Sequence, residues 1–309
     1  MSFAFAQLSQ RLFDTPLMYD ERKAETFVRA LGPRIAGTDI IVANGNGGID
    51  HVAFANGRPS AGKVGDQLGR AYERRGFALF DTFENAAIIP VEGSLIHKGA
   101  WVGASSGETS YQGLQTQITA VRQAYAAKKI KGAIFEVDSF GGEVNGAFET
   151  AAAMQAMSRE MPTLAILTDF AYSAGYLLAS QARQIIMPEF GGAGSIGVII
   201  LHADYSAALE QDGIKVTIIR SGKMKAEGNP YEALPARVAE RWQAQADTMR
   251  DKFAETVAKG RGKRITKAKA LSTEADAFDA NESLSLGLVD VIADPLEAFA
   301  AFLKEINRS

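Results

Sequence analysis

The sequence predicts an α/β fold in which a mainly parallel sheet is flanked by helices. Between residues 85 and 220, short apolar runs alternate with segments of helical periodicity. Such alternation is typical of parallel strands joined by right-handed helical crossovers. Hydrophobic residues make up 47% of the chain, which is enough to bury a sizeable core. The formal charge of −3 does not fit a nucleic-acid-binding surface, which would carry a strong basic excess.

Each element of this core has its own signal in the sequence. Residues 86–91 and 132–137 are apolar runs bounded by turns, and residues 111–128 carry apolar side chains at helical spacing. An alanine-rich helix is expected to end near residue 159. A third strand begins at Leu164, is expected to break at Thr168-Asp169, and leads to a small-residue helix that opens at Ser173. Further strands are predicted at 184–187, 196–201 and 214–219, a short helix at 205–211, and a long helix from about 234 to just before 260.

The first 83 residues differ from the rest and are predicted to form an N-terminal extension, with the main domain at 84–309. The extension has helical patterns at 22–31 and 67–75, separated by a Gly/Asn-rich passage after Asn44 that is typical of a flexible loop. The run Gly45-Asn-Gly-Gly48 is not a phosphate loop, because no Lys-Ser/Thr pair follows it.

Composition also limits which cofactors the protein can bind and indicates its cellular compartment. The chain has no cysteine, which excludes disulfides and thiolate metal sites. No apolar run approaches the roughly 18 residues of a membrane span, and the N-terminus lacks the pattern of a secretion signal. We therefore expect a soluble cytoplasmic protein with no metal, no cofactor and no membrane span.

Ser173 is the first candidate functional residue, because it lies where a buried strand gives way to a helix. Backbone N–H groups at a helix N-terminus are free to receive a developing negative charge. The alternative is that Ser173 only caps the helix. Gly141 and Gly142 follow the preceding strand, and the carboxyl ends of parallel strands form sites. An N–H from this pair, together with that of Ala174, would make an oxyanion hole.

A nucleophilic serine needs a base, and the sequence offers histidines and lysines. His51, His97 and His202 have no carboxylate arranged beside them in a recognisable pattern, and each is expected to be structural or at the surface. Lys223 and Lys225 lie in a polar loop, where the default expectation is solvent exposure. A lysine base in general must be desolvated, because lowering its pKa from about 10.4 to about 7 takes roughly 4–5 kcal/mol.

Four motifs together resemble the signal-peptide-peptidase-A family of serine peptidases: Asp138-Ser-Phe-Gly-Gly142, Ala171-Tyr-Ser-Ala-Gly-Tyr176, Gly194-Ser-Ile-Gly-Val198 and Ser221-Gly-Lys-Met-Lys225. Pro90-Val-Glu-Gly93, Lys259-Gly-Arg-Gly262 and the stretch 280–290 add to a resemblance that covers roughly residues 85–293.

The resemblance implies a Ser–Lys dyad on a crotonase-like, Clp-protease-like fold. It makes Ser173 the nucleophile and Lys225 the base, with Lys223 a bystander. Ala174 and either Gly141 or Gly142 would supply the oxyanion N–H groups. Phe140 stands where this family usually has proline.

The chain looks most similar to the phage branch of that family, the capsid-assembly or prohead proteases. This implies a ring-like homo-oligomer that cleaves scaffold and capsid proteins, with the portal as a further possible partner, inside a prohead assembling in the host cytoplasm. Little sequence follows residue 293, so a scaffold protein is expected to be a separate product.

Three alternatives stay open. The first is a cytoplasmic, signal-peptide-peptidase-like bacterial peptidase. The second is a crotonase-type acyl-CoA enzyme, for which Glu143 is the one obvious acid near the glycine pair. The third is a non-catalytic scaffold-like protein, which would tolerate loss of both Ser173 and Lys225.

Overall fold

The computed structural model describes residues 15–20, 66–99, 101–105 and 107–308. The predicted helix at 22–31, the Gly/Asn-rich passage and His51 lie outside the described residues. Within the described residues the chain is of the α/β class, with two sheets and flanking helices.

The larger sheet is parallel through its centre, as the sequence predicts. Its strands are β2 (Asp81–Phe83), β3 (Ala86–Glu92), β7 (Gly132–Ser139), β9 (Thr163–Tyr172), β10 (Gln184–Met187), β11 (Gly192–Gly194), β13 (Ala277–Asp279) and β14 (Val291–Ile292). Strands β3, β7 and β9 run parallel to one another, and β10 and β11 both pair in parallel with the outer edge of β9. The antiparallel strands β2 and β13 lie at two edges.

The smaller sheet begins at the carboxyl ends of β3 and β7. Its strands, in chain order, are β1 (Pro16–Tyr19), β4 (Ser94–Ile96), β5 (Ala104–Ser105), β6 (Glu108–Ser110), β8 (Gly141–Glu143) and β12 (Ile199–Ile200). Their spatial order is β12-β1-β8-β4-β6-β5. Only Gly93 separates β3 from β4, and only Phe140 separates β7 from β8. The second sheet therefore lies at the edge where a site was expected.

The helices cover both faces of the larger sheet. They are α1 (Gln67–Arg74), α2 (Tyr111–Ala126), α3 (Ala147–Glu160), α4 (Ala174–Ala179), α5 (Ser206–Gln211), α6 (Ala236–Arg261), α7 (Lys267–Leu271), α8 (Ala280–Leu286) and α9 (Pro295–Arg308). Alternate residues of the central strands point to opposite faces. Ile89 and Phe135 join the main core with α2, α3 and α4, whereas Ile134 packs on the other face against α9.

Most predicted elements are confirmed, but the predicted break in the third strand is wrong. Strand β9 continues to Tyr172, and the irregularity at Thr168-Asp169 is a bulge within it. Val137 pairs with Leu167 and Ser139 with Ala171, so residues 168–170 oppose one residue of β7. Past the bulge, β9 continues because β11 pairs with residues 170–172.

Two further expectations after residue 190 need correction. The strand predicted at 196–201 is reduced to β12, while the residues before it form the unpredicted strand β11. The segment 214–219 forms no strand, and the side chains of Ile214, Val216 and Ile219 are exposed. It pairs with no strand within the described part of the chain. Its apolar side chains, which alternate with polar ones as in a strand, are therefore not buried against a core.

Three described elements from the first 83 residues pack onto the body of the protein, and one of them, β2, pairs antiparallel with β3. Strand β1 pairs with β8 and β12. Helix α1 buries Leu68, and the Asp66 carboxylate before it accepts hydrogen bonds from Gly69 N–H and the Thr116 hydroxyl. In the ranges that the structure covers, no helix is both long and apolar enough to cross a membrane.

Candidate functional site

Ser173 lies at the junction of β9 and α4, with an unusual backbone. Its φ is 53° and its ψ is −122°. Holding a non-glycine residue in this backbone conformation costs of order 1–3 kcal/mol, and residues strained in this way cluster at functional sites. The residue is fully buried, and its N–H donates to Gly194 O at 2.9 Å. The Ser173 hydroxyl makes no capping hydrogen bond and has no hydrogen-bond partner among the described residues. The capping alternative is therefore wrong.

The first glycine of the predicted pair lies directly beside Ser173. Gly141 has a φ of +98°, and a Cβ placed on it would lie 3.0 Å from Ser173 Cβ and 3.1 Å from Ala174 N. Gly142 is the next residue of β8, and a Cβ there would lie 1.9 Å from Leu95 O. Glycine is required at both positions, because any side chain would collide with backbone. The structure thus brings Gly141, Ser173 and Ala174 together, with Gly142 adjacent.

Ser139 holds the turn before β8 in place, although the sequence analysis did not single it out. Its buried hydroxyl donates to Gly93 O at 2.7 Å and accepts from Gly141 N–H at 3.1 Å. A Cβ on Gly175 would lie 2.8 Å from Ser139 O, so the first turn of α4 packs closely on this turn. Only the Asp-Ser-x-Gly-Gly spacing could have indicated this role, because a serine before a turn is common.

The structure does not bring the predicted base to the serine within one chain. Lys223 and Lys225 both lie in an exposed turn, and the Ser173 hydroxyl oxygen has no hydrogen-bond partner among the described residues. The default expectation of exposure for these lysines is met. In the described part of the chain, the arrangement therefore offers a candidate nucleophile and a place for an oxyanion, but no proton acceptor bonded to Ser173 Oγ.

The described histidines have other surroundings. The backbone N–H of His97 donates to Glu143 Oε2 at 2.7 Å. This hydrogen bond fixes the carboxylate of Glu143 at the end of β4. Glu143 is the residue that the alternative of a crotonase-type acyl-CoA enzyme would use as its acid. The ring of His202 lies 5.6 Å from that of Trp242, centroid to centroid. Neither imidazole bonds to Ser173 Oγ.

An aromatic cluster lies beside Ser173. Phe140 contacts Phe170 and Tyr172 with ring centroids 5.3 and 5.6 Å away, and the latter two rings stack at 5.6 Å. Phe140 thus replaces the usual proline with a ring that joins β7 to the end of β9. Its backbone carbonyl accepts from Asp20 N–H at 2.9 Å.

The motif Lys259-Gly-Arg-Gly262 and the stretch 280–290 have a structural role. Arg261 is completely buried and forms two hydrogen bonds of 2.9 Å with the Asp290 carboxylate. Gly260 lets α6 approach the end of α4, since a Cβ there would lie 2.2 Å from Ser180 O. These motifs therefore anchor the long helix next to the helix that begins at Ser173.

No group of three or more His, Cys, Asp or Glu side chains is placed to hold a metal ion in the described ranges.

Comparison with known proteins identifies the family. Residues 155–307 match the family model of peptidase family S49. The chain is 30% identical over 295 residues to the head-tail preconnector protein GP5 of Enterobacteria phage P21, covering 96% of this chain and 56% of that protein. It is 31% identical over 292 residues to the capsid assembly protease C of Escherichia phage lambda, covering 94% and 64%. A putative signal peptide peptidase SppA of Enterococcus faecium is 29% identical over 192 residues, covering 62% and 56%.

The chain therefore spans somewhat more than half the length of the first two relatives. The resemblance to the signal-peptide-peptidase-A family and its phage branch, drawn from the motifs, is confirmed. The chain carries a domain of peptidase family S49.

Proposed function

We propose that this chain is a serine endopeptidase that uses a Ser–Lys dyad, with Ser173 as nucleophile and Lys225 as base. One observation carries the proposal: a buried serine hydroxyl, with no hydrogen-bond partner in the described ranges and on a strained backbone, lies against Gly141 and the first N–H groups of a helix. A hydroxyl buried without a partner has a cost that folding alone does not require. We also propose that residues 84–309 form the peptidase domain and residues 1–83 an extension to it.

The chemistry follows from this geometry. Ser173 Oγ attacks the carbonyl carbon of the scissile peptide bond while its proton passes to the neutral amine of Lys225. The carbonyl oxygen becomes an oxyanion that Ala174 N–H and the N–H of Gly141 or Gly142 stabilise. Gly141 N–H already donates to Ser139 Oγ, so it would have to redirect this bond. The amine of the leaving peptide takes the proton from the lysine, and water then hydrolyses the acyl-enzyme by the reverse sequence.

A second chain supplies the lysine in our proposal. The loop of Lys225 is exposed in a single chain, and the preceding segment exposes 49% of Ile214, 42% of Val216 and 95% of Ile219. A neighbour packed on this surface would bury the apolar side chains and remove water from the lysine. Head-to-tail contacts of this kind close into a ring when the rotation between neighbours allows it, and we propose such a ring-like homo-oligomer.

Phage head proteins are the proposed substrates. The similarity to a capsid assembly protease and to a head-tail preconnector protein supports scaffold and capsid proteins as substrates and the portal as a further partner. The proposed place of action is the assembling prohead in the host cytoplasm.

The experiment is co-expression of the chain with scaffold and capsid proteins, followed by intact-mass analysis. Ser173→Ala and Lys225→Ala should each abolish cleavage to the same extent, because members of a catalytic unit are not additive. The matched control is Lys223→Ala, two residues from the proposed base and also exposed, which should keep most activity. An inactive Lys223→Ala beside an active Lys225→Ala would show that the base is misassigned.

Complementation tests the shared site. A mixture of Ser173→Ala and Lys225→Ala chains should regain part of the activity, because some interfaces then pair an intact serine with an intact lysine. A mixture that co-assembles by mass measurement and stays inactive would place the dyad within one chain.

A further inference from the structure

Strand β1, from the N-terminal extension, fills a slot one strand wide in the smaller sheet. It pairs antiparallel with β8 on one side and with β12 on the other. On its remaining edge, β8 pairs with β4. Without β1, the edge of β8 that faces the slot would present unpaired backbone groups, and such an edge recruits an extended peptide.

The slot runs past the proposed nucleophile. Tyr19 lies opposite Gly141 in the register, and Asp20 N–H donates to Phe140 O at 2.9 Å. The point at which a Cβ on Gly141 would lie is 2.0 Å from Met18 O and 3.0 Å from Ser173 Cβ. A backbone carbonyl of β1 therefore lies beside the serine, where a peptidase would hold the carbonyl of a substrate.

The strand is held by its side chains as well as by its backbone. Leu17, Met18 and Tyr19 are 1%, 0% and 8% exposed, and Met18 belongs to the main core. Burying two or three such side chains contributes several kcal/mol, at roughly 1.5–3 kcal/mol each. This is enough to compete with an external peptide, since the strand is part of the same chain and has a high effective concentration.

We infer that Pro16–Tyr19 occupies the peptide-binding slot of this chain as an internal ligand, and that it must leave before an external peptide can reach Ser173. The inference rests on the proposed function. The residues of β1 also predict the kind of external ligand that the slot would bind. This ligand is an extended peptide, antiparallel to β8, with apolar side chains at the positions of Leu17 and Met18.

A reversible cross-link tests whether the strand blocks the site. Pro16 and Ile200 are partners in the antiparallel register, where opposed Cα atoms lie about 4.5–5.5 Å apart, within the range of a disulfide. The chain has no cysteine of its own, so the double variant Pro16→Cys/Ile200→Cys forms a single defined bond. Oxidised protein should cleave a peptide substrate at least about tenfold more slowly than the same protein after reduction.

The single variants Pro16→Cys and Ile200→Cys are the controls and should not respond to oxidant. Equal rates before and after reduction, with the cross-link confirmed by mass, would overturn the inference. Failure of the cross-link to form would overturn it as well, because the strand would then not lie beside β12.

A binding measurement separates this inference from the proposed function. In a Ser173→Ala background, a fluorescent peptide with the sequence of residues 15–20 should bind the chain that also carries Leu17→Asp and Met18→Asp at least about tenfold more tightly than the chain with the native strand. Circular dichroism and thermal unfolding confirm that the variant is folded. If this variant is unfolded, the oxidised and reduced forms of the cysteine pair, in the same background, provide the comparison.

The outcomes are distinct. Stronger binding on displacement of the strand, without peptide cleavage by the chain that keeps Ser173, would support the slot and refute the peptidase. Peptide cleavage by the native chain, with equal binding whether the strand is displaced or native, would refute the slot and leave the peptidase standing.

Discussion

Asp290→Asn should be among the most destabilising single substitutions outside the site, because it leaves a buried guanidinium without its carboxylate. Arg261 is 0% exposed along its side chain and Asp290 is 13% exposed, and two hydrogen bonds of 2.9 Å join them. Removing one member of a buried pair costs roughly 3–5 kcal/mol. For a domain of this size, each kcal/mol lowers Tm by about 2–4 °C, so we expect a fall of roughly 10 °C.

The same carboxylate offers a matched control. Arg264 also pairs with Asp290, but 44% of its side chain is exposed. An exposed pair contributes about 0–1 kcal/mol, so Arg264→Met should change the free energy of unfolding by no more than that. Both variants remove a contact to the same carboxylate, and they differ in whether a charge is left buried.

The assay is urea unfolding followed by circular dichroism, with a third variant to identify the cause. Arg261→Met/Asp290→Leu removes both charges and should recover much of the loss, because no buried charge then lacks a partner. If Asp290→Asn and Arg264→Met agree within about 1 kcal/mol, the burial argument is wrong. A double variant no more stable than Asp290→Asn would show that geometry, not charge, is at issue.

Three other changes have defined outcomes. Gly260→Ala should destabilise the fold by about 1–3 kcal/mol in urea unfolding, since its Cβ would lie 2.2 Å from Ser180 O; a gain, as expected from helix propensity alone, would refute the close approach. Burial, followed by two neighbouring carboxylates, raises the pKa of Glu92. Glu92→Gln should therefore stabilise the fold at pH 7 by under about 1 kcal/mol. This gain should disappear as the pH falls below about 4, because the carboxylate of Glu92 takes up its proton more readily in the folded than in the unfolded state. A stabilisation that grows on acidification would show that the pKa of Glu92 is lowered by folding and not raised. Ser139→Ala should lower kcat more than it changes KM, since the Ser139 hydroxyl donates to Gly93 O and so holds the turn before Gly141; unchanged kcat would remove this positioning role.

The central sheet and the position of Ser173 between a strand and a helix could be predicted because their signals are local. Strand β3 and helix α2 begin at the predicted residues, Ala86 and Tyr111, since each carries the period of its own element. The proximity of Ser173 to Gly141 followed from one rule, that adjacent parallel strands bring their carboxyl ends together. The spacing of residues in the sequence was therefore sufficient to predict both the start of these elements and the proximity of Ser173 to Gly141.

Strand β1 could not be predicted, because its partners are remote in sequence. It has only four residues, Pro16–Tyr19, and pairs with strands that begin at Gly141 and Ile199. A run of this length has no recognisable period. Its strand conformation comes from the slot that the rest of the fold leaves open, and nothing in its own residues encodes that slot.

The segment 214–219 is the opposite case, because its local signal is clear but the single chain does not satisfy it. Ile214 and Val216 alternate with polar residues as in a half-buried strand, yet both side chains are exposed and the segment pairs with no strand in the described ranges. A strand needs a partner edge, since an isolated extended segment leaves its backbone groups unpaired. The pattern therefore fits a surface that a second copy covers, and that copy would bury the loop of Lys225 by the same contact. In the proposed oligomer, Ser173 would take its position from the fold of one chain, whereas Lys225 would reach the site only through the contact between two chains.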